Sequence, residues 1–265
     1  MRETIFFFID GVNEKPGVSA PLETFKFLSN TLYLIALLRN FRRLKFVFGV
    51  FNMPEQLPES MKGTTTIGIV FAGGVILATE KRATMGYMIA SKKAKKVYQV
   101  ADRIGITIAG GVGDAQQLAR ILNVECNLYQ IRRSRAITVG ATATLLSNYL
   151  NQNRMYPYYV QLLVGGIDEK GPSVYSVDAM GGATKEESIV STGSGSPMAY
   201  GVLEDRFKPD MAEDEAIELA VRGLKSAMKR DAGSGEGIHV VVITKDKYQE
   251  LSEDAVNKVV AKTSA

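Results

Sequence analysis

The chemistry that this sequence could perform centres on the stretch Gly63-Thr64-Thr65-Thr66. A hydroxyl residue directly follows a glycine there, at the head of a β-branched run. Cleavage of the Gly63-Thr64 bond would leave Thr64 with a free α-amine beside its own hydroxyl, and an α-amine has a pKa of about 8 and can act as a base at neutral pH. A hydroxyl activated by an N-terminal amine is a known type of nucleophile. The alternative interpretation of these residues is a turn that leads into a strand.

Other catalytic or metal-binding side chains are scarce. The chain has one cysteine, Cys126, and one histidine, His239. A single cysteine rules out an intrachain disulfide framework and a cysteine metal cluster. His239 lies in the apolar run 237–243, which is typical of a strand, so we do not expect a catalytic histidine. Cys126 follows Leu118 and Leu122 at helical spacing, which predicts a small core residue and not a nucleophile.

The composition changes near residue 52. Nine of the 11 phenylalanines lie in the first 52 residues, which also carry a net charge of +3. From Thr64 onward, 24 basic residues face 22 acidic residues, and this near-neutral balance gives no sign of nucleic-acid binding. Two regions that differ this much are expected to belong to different folded units.

Cleavage at Gly63-Thr64 would make the first 63 residues a leader that the mature chain lacks. The apolar run 27–38 is shorter than the roughly 20 residues that span a membrane, and the segment lacks the order of a secretory signal. One interpretation of residues 1–52 is an extension whose basic part forms an amphipathic surface helix. The other, which we favour, is that Met53 is the true start and that residues 1–52 are a misassigned upstream extension.

Hydrophobic periodicity after Thr64 predicts alternating groups of strands and helices. We expect strands over 64–71, 75–80, 97–100, 104–109, 159–166, 173–180, 187–192 and 238–243. We expect helices over about 114–129, 138–153, 197–203, 212–229 and 253–261. Asp114 and Gln117 predict a capping box at the first of these helices. This order indicates an α+β fold in which two stacked antiparallel sheets have helices outside both.

Several motifs in one order give the most specific signal. They are Gly-Thr-Thr-Thr-Ile-Gly (63–68), Ala-Thr-Glu-Lys-Arg-Ala-Thr-Met-Gly (78–86), Lys-Lys-Val-Tyr-Gln (95–99), Ile-Ala-Gly-Gly-Val-Gly-Asp-Ala-Gln (108–116), Leu-Leu-Ser-Asn-Tyr-Leu-Asn (145–151), Gln-Leu-Leu-Val-Gly-Gly-Ile-Asp (161–168), Ser-Thr-Gly-Ser-Gly-Ser-Pro (191–197) and Lys-Arg-Asp-Ala-Gly-Ser-Gly (229–235). With them, the chain from Thr64 to about residue 250 resembles a proteasome β subunit of the archaeal type. The resemblance implies the four-layer αββα sandwich of N-terminal nucleophile hydrolases and makes 64–265 the catalytic domain.

The resemblance also implies roles for three residues near the cleavage site. Thr64 would be the nucleophile of a threonine-type endopeptidase, exposed when the chain cleaves itself after Gly63. Lys96 matches the family's catalytic lysine, although one of four lysines in five residues is otherwise expected to be a solvated charge. Glu80 matches the acidic partner of that lysine; many relatives carry Asp there, and the alternative for Glu80 is a surface pair with Lys81 or Arg82.

Further matches complete the expected site. Gly110 corresponds to the donor of the oxyanion hole, with a strand-ending turn as the simpler interpretation. The polar group around the terminal amine would be Ser194, Asp231 and Ser234, which otherwise lie in a turn before a helix and after the end of another. Thr84 matches a contact to the substrate backbone, and the first specificity pocket would be lined by Ala83, Ile108 and Val112. Because these three side chains are apolar, we expect cleavage after apolar residues.

The resemblance implies partners rather than cofactors. We expect seven-membered β rings, stacked in pairs and capped by α-subunit rings, in a cytoplasmic particle that receives unfolded proteins from an ATP-dependent unfolding partner, with no metal, cofactor, nucleic acid or membrane. One alternative is a non-catalytic subunit of the β ring. Another is a nucleotide-binding module, suggested by the glycines at 110–113 and 193–195, but the sequence has no GxxxxGK[ST] motif and neither cluster gives GxGxxG.

Overall fold

A computed structural model describes residues 63–263. The expectations for the leader before Gly63, including the Met53 start and the surface helix, lie outside these residues. The strands are β1 (Thr66–Phe71), β2 (Gly74–Glu80), β3 (Ala83–Met85), β4 (Met88–Ser91), β5 (Val97–Ala101), β6 (Ile104–Gly110), β7 (Val160–Asp168), β8 (Gly171–Val177), β9 (Ala183–Glu186), β10 (Ile189–Thr192), β11 (Ile238–Thr244) and β12 (Tyr248–Glu250). The helices are α1 (Val112–Arg133), α2 (Val139–Gln152), α3 (Ser196–Arg206), α4 (Glu213–Met228) and α5 (Glu253–Lys262).

Ten of these strands form two five-stranded antiparallel sheets. The first sheet has the order β10-β1-β2-β11-β12, and the second has the order β5-β6-β7-β8-β9. Strands β3 and β4 form a separate hairpin. In the first sheet Thr66 is paired with both Thr79 and Thr192, so three threonines lie side by side across it.

The apolar residues separate into three layers of core. Helices α3, α4 and α5 pack on one face of the first sheet, and α1 and α2 pack on one face of the second. A third cluster fills the space between the two sheets. The expected four-layer αββα sandwich is therefore confirmed, because each sheet buries both faces and each helix buries one.

Leu77 shows how closely the two sheets approach. Its fully buried side chain points from β2 toward the second sheet, and a Cβ on Gly165 would lie 2.9 Å from its Cδ2. A Cβ on Gly105 would likewise lie 3.1 Å from its Cδ1. The two glycines leave room for the Leu77 side chain between the sheets. A larger residue at either glycine position would displace that side chain.

Pattern reasoning missed the short strands β3, β4, β9 and β12. Each has only three or four residues, and their side chains are largely exposed, so they lack the alternation that marks a half-buried strand. The expected strand over 173–180 is shifted as well. It ends at Val177 because the Asp178 carboxylate accepts hydrogen bonds from the N–H groups of Met180 and Gly182 and forms a turn.

Candidate active site

Thr64 lies two residues before β1, which is an interior strand of the first sheet, and it is 4% exposed. Its N–H, which here belongs to the intact bond with Gly63, donates to Ser194 Oγ at 3.2 Å. Its hydroxyl donates to the carbonyl oxygen of Gly63 and accepts from Lys96 Nζ at 3.1 Å. The hydroxyl therefore touches both the carbonyl group that would be attacked and a cation.

Gly63 is held in a space that admits only glycine. A Cβ on Gly63 would lie 2.7 Å from the Cα of Gly233 and 2.8 Å from Thr84 Oγ1. Two backbones can approach this closely only where a residue has no Cβ, and glycine is that residue. The bond after Gly63 is therefore seated between the β3 hairpin and the loop that joins α4 to β11.

Glu80 and Lys96 form a buried ion pair next to Thr64. Glu80 is the last residue of β2, Lys96 immediately precedes β5, and their side chains are 0% and 7% exposed. Glu80 Oε1 accepts from Lys96 Nζ and from the N–H of Thr65 at 3.3 Å. Lys96 is thus buried, unlike a solvated member of a lysine run, and Glu80 does not pair with the side chain of Lys81 or Arg82.

Burial acts on both members of this pair. It lowers the pKa of Lys96 below its ordinary value, and the negative charge of Glu80 opposes that shift. It raises the pKa of Glu80, and the Lys96 ammonium and the N–H groups of Gly235 and Arg82 oppose that shift. Lys96 consequently gives up its proton beside Thr64 Oγ1 more easily than an exposed lysine does.

Ser194, Asp231 and Ser234 converge on the same point from two separate loops. Asp231 Oδ2 accepts from Ser194 Oγ at 2.7 Å and from Ser234 Oγ at 2.5 Å. Ser234 Oγ also lies 2.7 Å from the hydroxyl of Thr65, and Ser194 Oγ receives the Thr64 N–H. The sequence places these residues at helix ends, and only the fold brings them to the backbone nitrogen of Thr64.

Gly110 ends β6 with a left-handed backbone angle, φ of 120°, and a Cβ there would lie 2.2 Å from the carbonyl oxygen of Tyr159. The same carbonyl accepts the N–H of Gly111 at 2.7 Å. This tight packing explains why glycine occupies the end of the strand, next to the cavity beside Thr64.

The expected capping box at Asp114 is wrong. Helix α1 begins at Val112 with Gly111 as its N-cap, and no side chain caps it. The carboxylate of Asp114 instead accepts the N–H of Tyr159 at 3.0 Å, so it anchors the segment on which Gly110 packs. The sequence pattern gave no signal for this role, since Asp114 and Tyr159 are 45 residues apart.

All four predicted substrate-contact residues line one cavity beside Thr64. Ala83 and Thr84 come from β3, Ile108 comes from β6, and Val112 opens α1; Lys96 and Gly110 line it as well. The prediction missed other lining residues, namely Ala94, Lys95, Tyr98 and Ala115. The wall is mixed: Ala83, Ala94, Ile108, Val112 and Ala115 are apolar, whereas Thr84, Lys95 and Lys96 are polar or charged, and Val112 is 49% exposed.

Neither of the two remaining reactive side chains lines the cavity beside Thr64. Cys126 is buried in the core of α1, and burial raises the pKa of its thiol. His239 lies in β11, with Nε2 3.3 Å from Glu250 Oε2. Between residues 63 and 263, no group of three or more His, Cys, Asp or Glu side chains is arranged to hold a metal ion, and no helix is long and apolar enough to cross a membrane.

The αββα layers, with a threonine just before an interior strand of one sheet, define the fold of N-terminal nucleophile hydrolases. The model of the proteasome subunit family matches residues 60–243, and the chain belongs to this family. It is 83% identical over 213 residues to proteasome subunit beta of Methanoregula boonei, across 80% of this chain and 100% of the relative. It is 77% identical over 207 residues to that of Methanosphaerula palustris (78% and 98%) and 62% identical over 201 residues to that of Archaeoglobus fulgidus (76% and 94%). The resemblance to archaeal β subunits is thereby confirmed.

Proposed function

We propose that this chain is a catalytic β subunit of the 20S proteasome core, a threonine-type endopeptidase that cleaves itself at Gly63-Thr64. The observation that carries the proposal is the contact between Lys96 Nζ and Thr64 Oγ1 at 3.1 Å, in a pocket where Glu80 holds the lysine. A non-catalytic subunit has no use for a buried cation at this hydroxyl. Burying an ion pair costs free energy unless good geometry and further hydrogen bonds offset the loss of water. A pair that is buried at this cost therefore favours a functional role.

The first reaction would free the terminal amine. The Lys96 ammonium first gives a proton to Glu80, and the neutral amine then takes the proton of Thr64 Oγ1 as that oxygen attacks the carbonyl carbon of Gly63. Collapse of the adduct breaks the Gly63–Thr64 C–N bond, and the nitrogen takes up the proton that Lys96 holds. Water then hydrolyses the resulting ester, which gives a carboxylate on Gly63 and a free α-amine on Thr64. The mature chain would begin at Thr64, and the leader 1–63 would be lost.

The second reaction would use the same hydroxyl on a substrate. Thr64 Oγ1 attacks a peptide carbonyl, its proton passes through the new α-amine to the leaving amine, and an acyl-enzyme forms. The N–H of Gly110 would stabilise the oxyanion, while Ser194, Asp231 and Ser234 would hold the amine in place. Water releases the acyl group and regenerates Thr64. No step needs a metal or a cofactor.

The cavity beside Thr64 supports the substrate preference. Ala83, Ile108 and Val112 give it an apolar wall, so we propose cleavage after apolar residues, with Thr84 binding the substrate backbone. Burial of an apolar side chain in such a pocket stabilises the complex, whereas a charged one would lose its hydration.

Assembly would enclose this chemistry. We propose that the subunit forms heptameric β rings that stack in pairs between α-subunit rings, and that an ATP-dependent partner in the cytoplasm supplies unfolded proteins. The alternative is a structural member of the β ring that keeps its leader.

Intact mass and N-terminal sequencing of the particle, purified with its α-subunit partner, test the proposal. We expect wild-type chains that begin at Thr64 and hydrolyse fluorogenic peptides with apolar P1 residues faster than those with acidic or basic ones. The Thr64→Ala variant should assemble, keep its leader and hydrolyse none of the peptides. An assembled wild-type particle that retains the leader would instead support the structural alternative, and a preference for charged P1 residues would contradict the assigned pocket.

A further inference from the structure

Arg82 lies beside the candidate active site without touching Thr64. It follows β2 by two residues, and its side chain crosses the loop 231–237 between α4 and β11. Arg82 Nη1 donates to the carbonyl oxygen of Ala232 at 2.8 Å, and Nη2 donates to Glu236 Oε1 at 3.1 Å. One guanidinium group therefore holds both sides of the loop.

Gly235, in the middle of the loop, packs against the same guanidinium group. A Cβ on Gly235 would lie 2.4 to 2.7 Å from Nη2, Cζ and Nε of Arg82, so the planar guanidinium rests directly on the glycine backbone. The arginine side chain is 22% exposed, and its Nε is buried with no partner among residues 63–263. A buried donor without a partner costs free energy. The contacts of Arg82 with Ala232, Glu236 and Gly235 must offset that cost, so they set the position of its side chain.

That loop carries three of the groups that surround Thr64. Asp231 and Ser234 belong to the polar network at the Thr64 nitrogen, and the N–H of Gly235 donates to Glu80 Oε2 at 3.1 Å. The backbone N–H of Arg82 donates to the same oxygen at 2.6 Å. Glu80 thus has Oε2 fixed by Arg82 and the loop, which leaves Oε1 to face Lys96.

We propose that Arg82 is a positioning residue for the threonine chemistry: it clamps the 231–237 loop so that Glu80 presents Lys96 to Thr64 and so that Asp231 and Ser234 stay at the Thr64 nitrogen. This inference rests on the proposed function. Lysine is a poor replacement here, because its ammonium lacks the planar fork whose two nitrogens contact Ala232 and Glu236 and which lies against Gly235. Its guanidinium charge also adds a minor contribution to the lowered pKa of Lys96, after burial, which is the main cause.

The test compares assembled particles that carry Arg82→Ala, Arg82→Lys or the control Arg103→Ala. Arg103 is an arginine at the opposite end of β6, and its contact with the carbonyl oxygen of Lys245 is long, at 3.5 Å. We expect kcat per mature subunit to fall about 10- to 100-fold in Arg82→Ala and about tenfold in Arg82→Lys, with KM within about twofold, because small misplacement of reacting groups costs rate rather than binding. Arg103→Ala should match the wild type.

Rescue separates positioning from general stability. Millimolar guanidinium, well below denaturing concentrations, should restore much of the kcat of Arg82→Ala and leave the wild type unchanged. If Arg82→Ala does not assemble, Arg82→Lys decides. Wild-type kcat in Arg82→Lys, or a loss in Arg82→Ala that guanidinium does not restore, would overturn the inference. A wild-type particle that is itself inactive and unprocessed would instead overturn the proposed function.

Discussion

The space between the two sheets has two ends with opposite chemistry. The apolar end is filled by fully buried aliphatic side chains, namely Val75, Leu77, Leu163, Val241 and Ile243. The polar end, where β1 begins and β2 finishes, holds Thr64, Thr66, Glu80 and Lys96, all nearly inaccessible to solvent. The same pair of sheets thus builds a core at one end and the candidate active site at the other.

The two ends are stabilised by different interactions. The apolar end is stabilised by burial of area and by close packing, as between Leu77 and Gly165. The polar end buries a carboxylate, an ammonium and several hydroxyls, and each must be hydrogen-bonded to offset the loss of water. The apolar end therefore stabilises the fold, and this offsets the free-energy cost of burying polar groups at the other end.

Two adjacent lysines test this comparison most strongly. Lys96 is buried against Glu80, whereas Lys95 is 50% exposed and pairs with Glu250 at 2.8 Å on the surface. We expect Lys96→Ala to lower peptidase activity by about 10²- to 10⁴-fold, since in the proposed mechanism this residue moves the Thr64 proton. Lys95→Ala should change kcat less than about threefold, because exposed pairs contribute little, and an effect of its place in the cavity wall should fall on KM.

Peptidase assays on both variants, with N-terminal sequencing to count mature chains, measure this contrast. Equal losses in the two variants would mean that the lysine run acts through its overall charge. In that case the buried pair would have no special part in the reaction.

The apolar end should respond in stability and not in chemistry. Leu77→Ala removes a fully buried side chain that fills the gap left by Gly105 and Gly165. We expect a loss of about 2–5 kcal/mol in the free energy of unfolding, measured by urea denaturation of the unassembled chain. Particles that do assemble should keep the wild-type KM and a kcat within about twofold, whereas a large fall in kcat would show that the two ends are coupled.

The apolar end is easier to predict from the sequence than the polar end, for a physical reason. Apolar runs along β2, β6 and β11 mark the strands that build the apolar end, because each strand carries its own signal in successive residues. The polar end is assembled from residues in separate segments, such as Glu80, Lys96 and Asp231, and no local pattern reports which of them meet. Lys96 alone would have been assigned to the solvent, and only the family resemblance selected it.

Contacts specific to this fold escaped both kinds of reasoning. The Asp114 carboxylate was expected to cap α1 and instead binds the backbone of Tyr159. Arg82 was considered only as a surface partner of Glu80, although its side chain spans the 231–237 loop. Both interactions depend on long-range loop positions, which neither periodicity nor a short motif encodes.

The smallest expected effect lies at the boundary of the two ends, in two neighbouring threonines. Thr66 Oγ1 lies 2.7 Å from Thr192 Oγ1 and 3.1 Å from Thr107 Oγ1. Thr79, its partner in the sheet, is equally buried, but its hydroxyl has no partner among residues 63–263. Thr79 alternates with Val75 and Leu77, so its side chain faces the second sheet.

Valine replaces threonine with nearly the same shape, so the two substitutions differ only in the hydrogen bonds they remove. Thr66→Val should cost about 1–3 kcal/mol, since it leaves the hydroxyls of Thr107 and Thr192 without this partner. Thr79→Val should be neutral or stabilise by up to about 1 kcal/mol, because it removes a buried hydroxyl that makes no bond. Urea denaturation of both variants measures the difference. Equal destabilisation would mean that Thr79 is bonded in solution, for example to a buried water, and that the polar end extends one strand further than its protein contacts indicate.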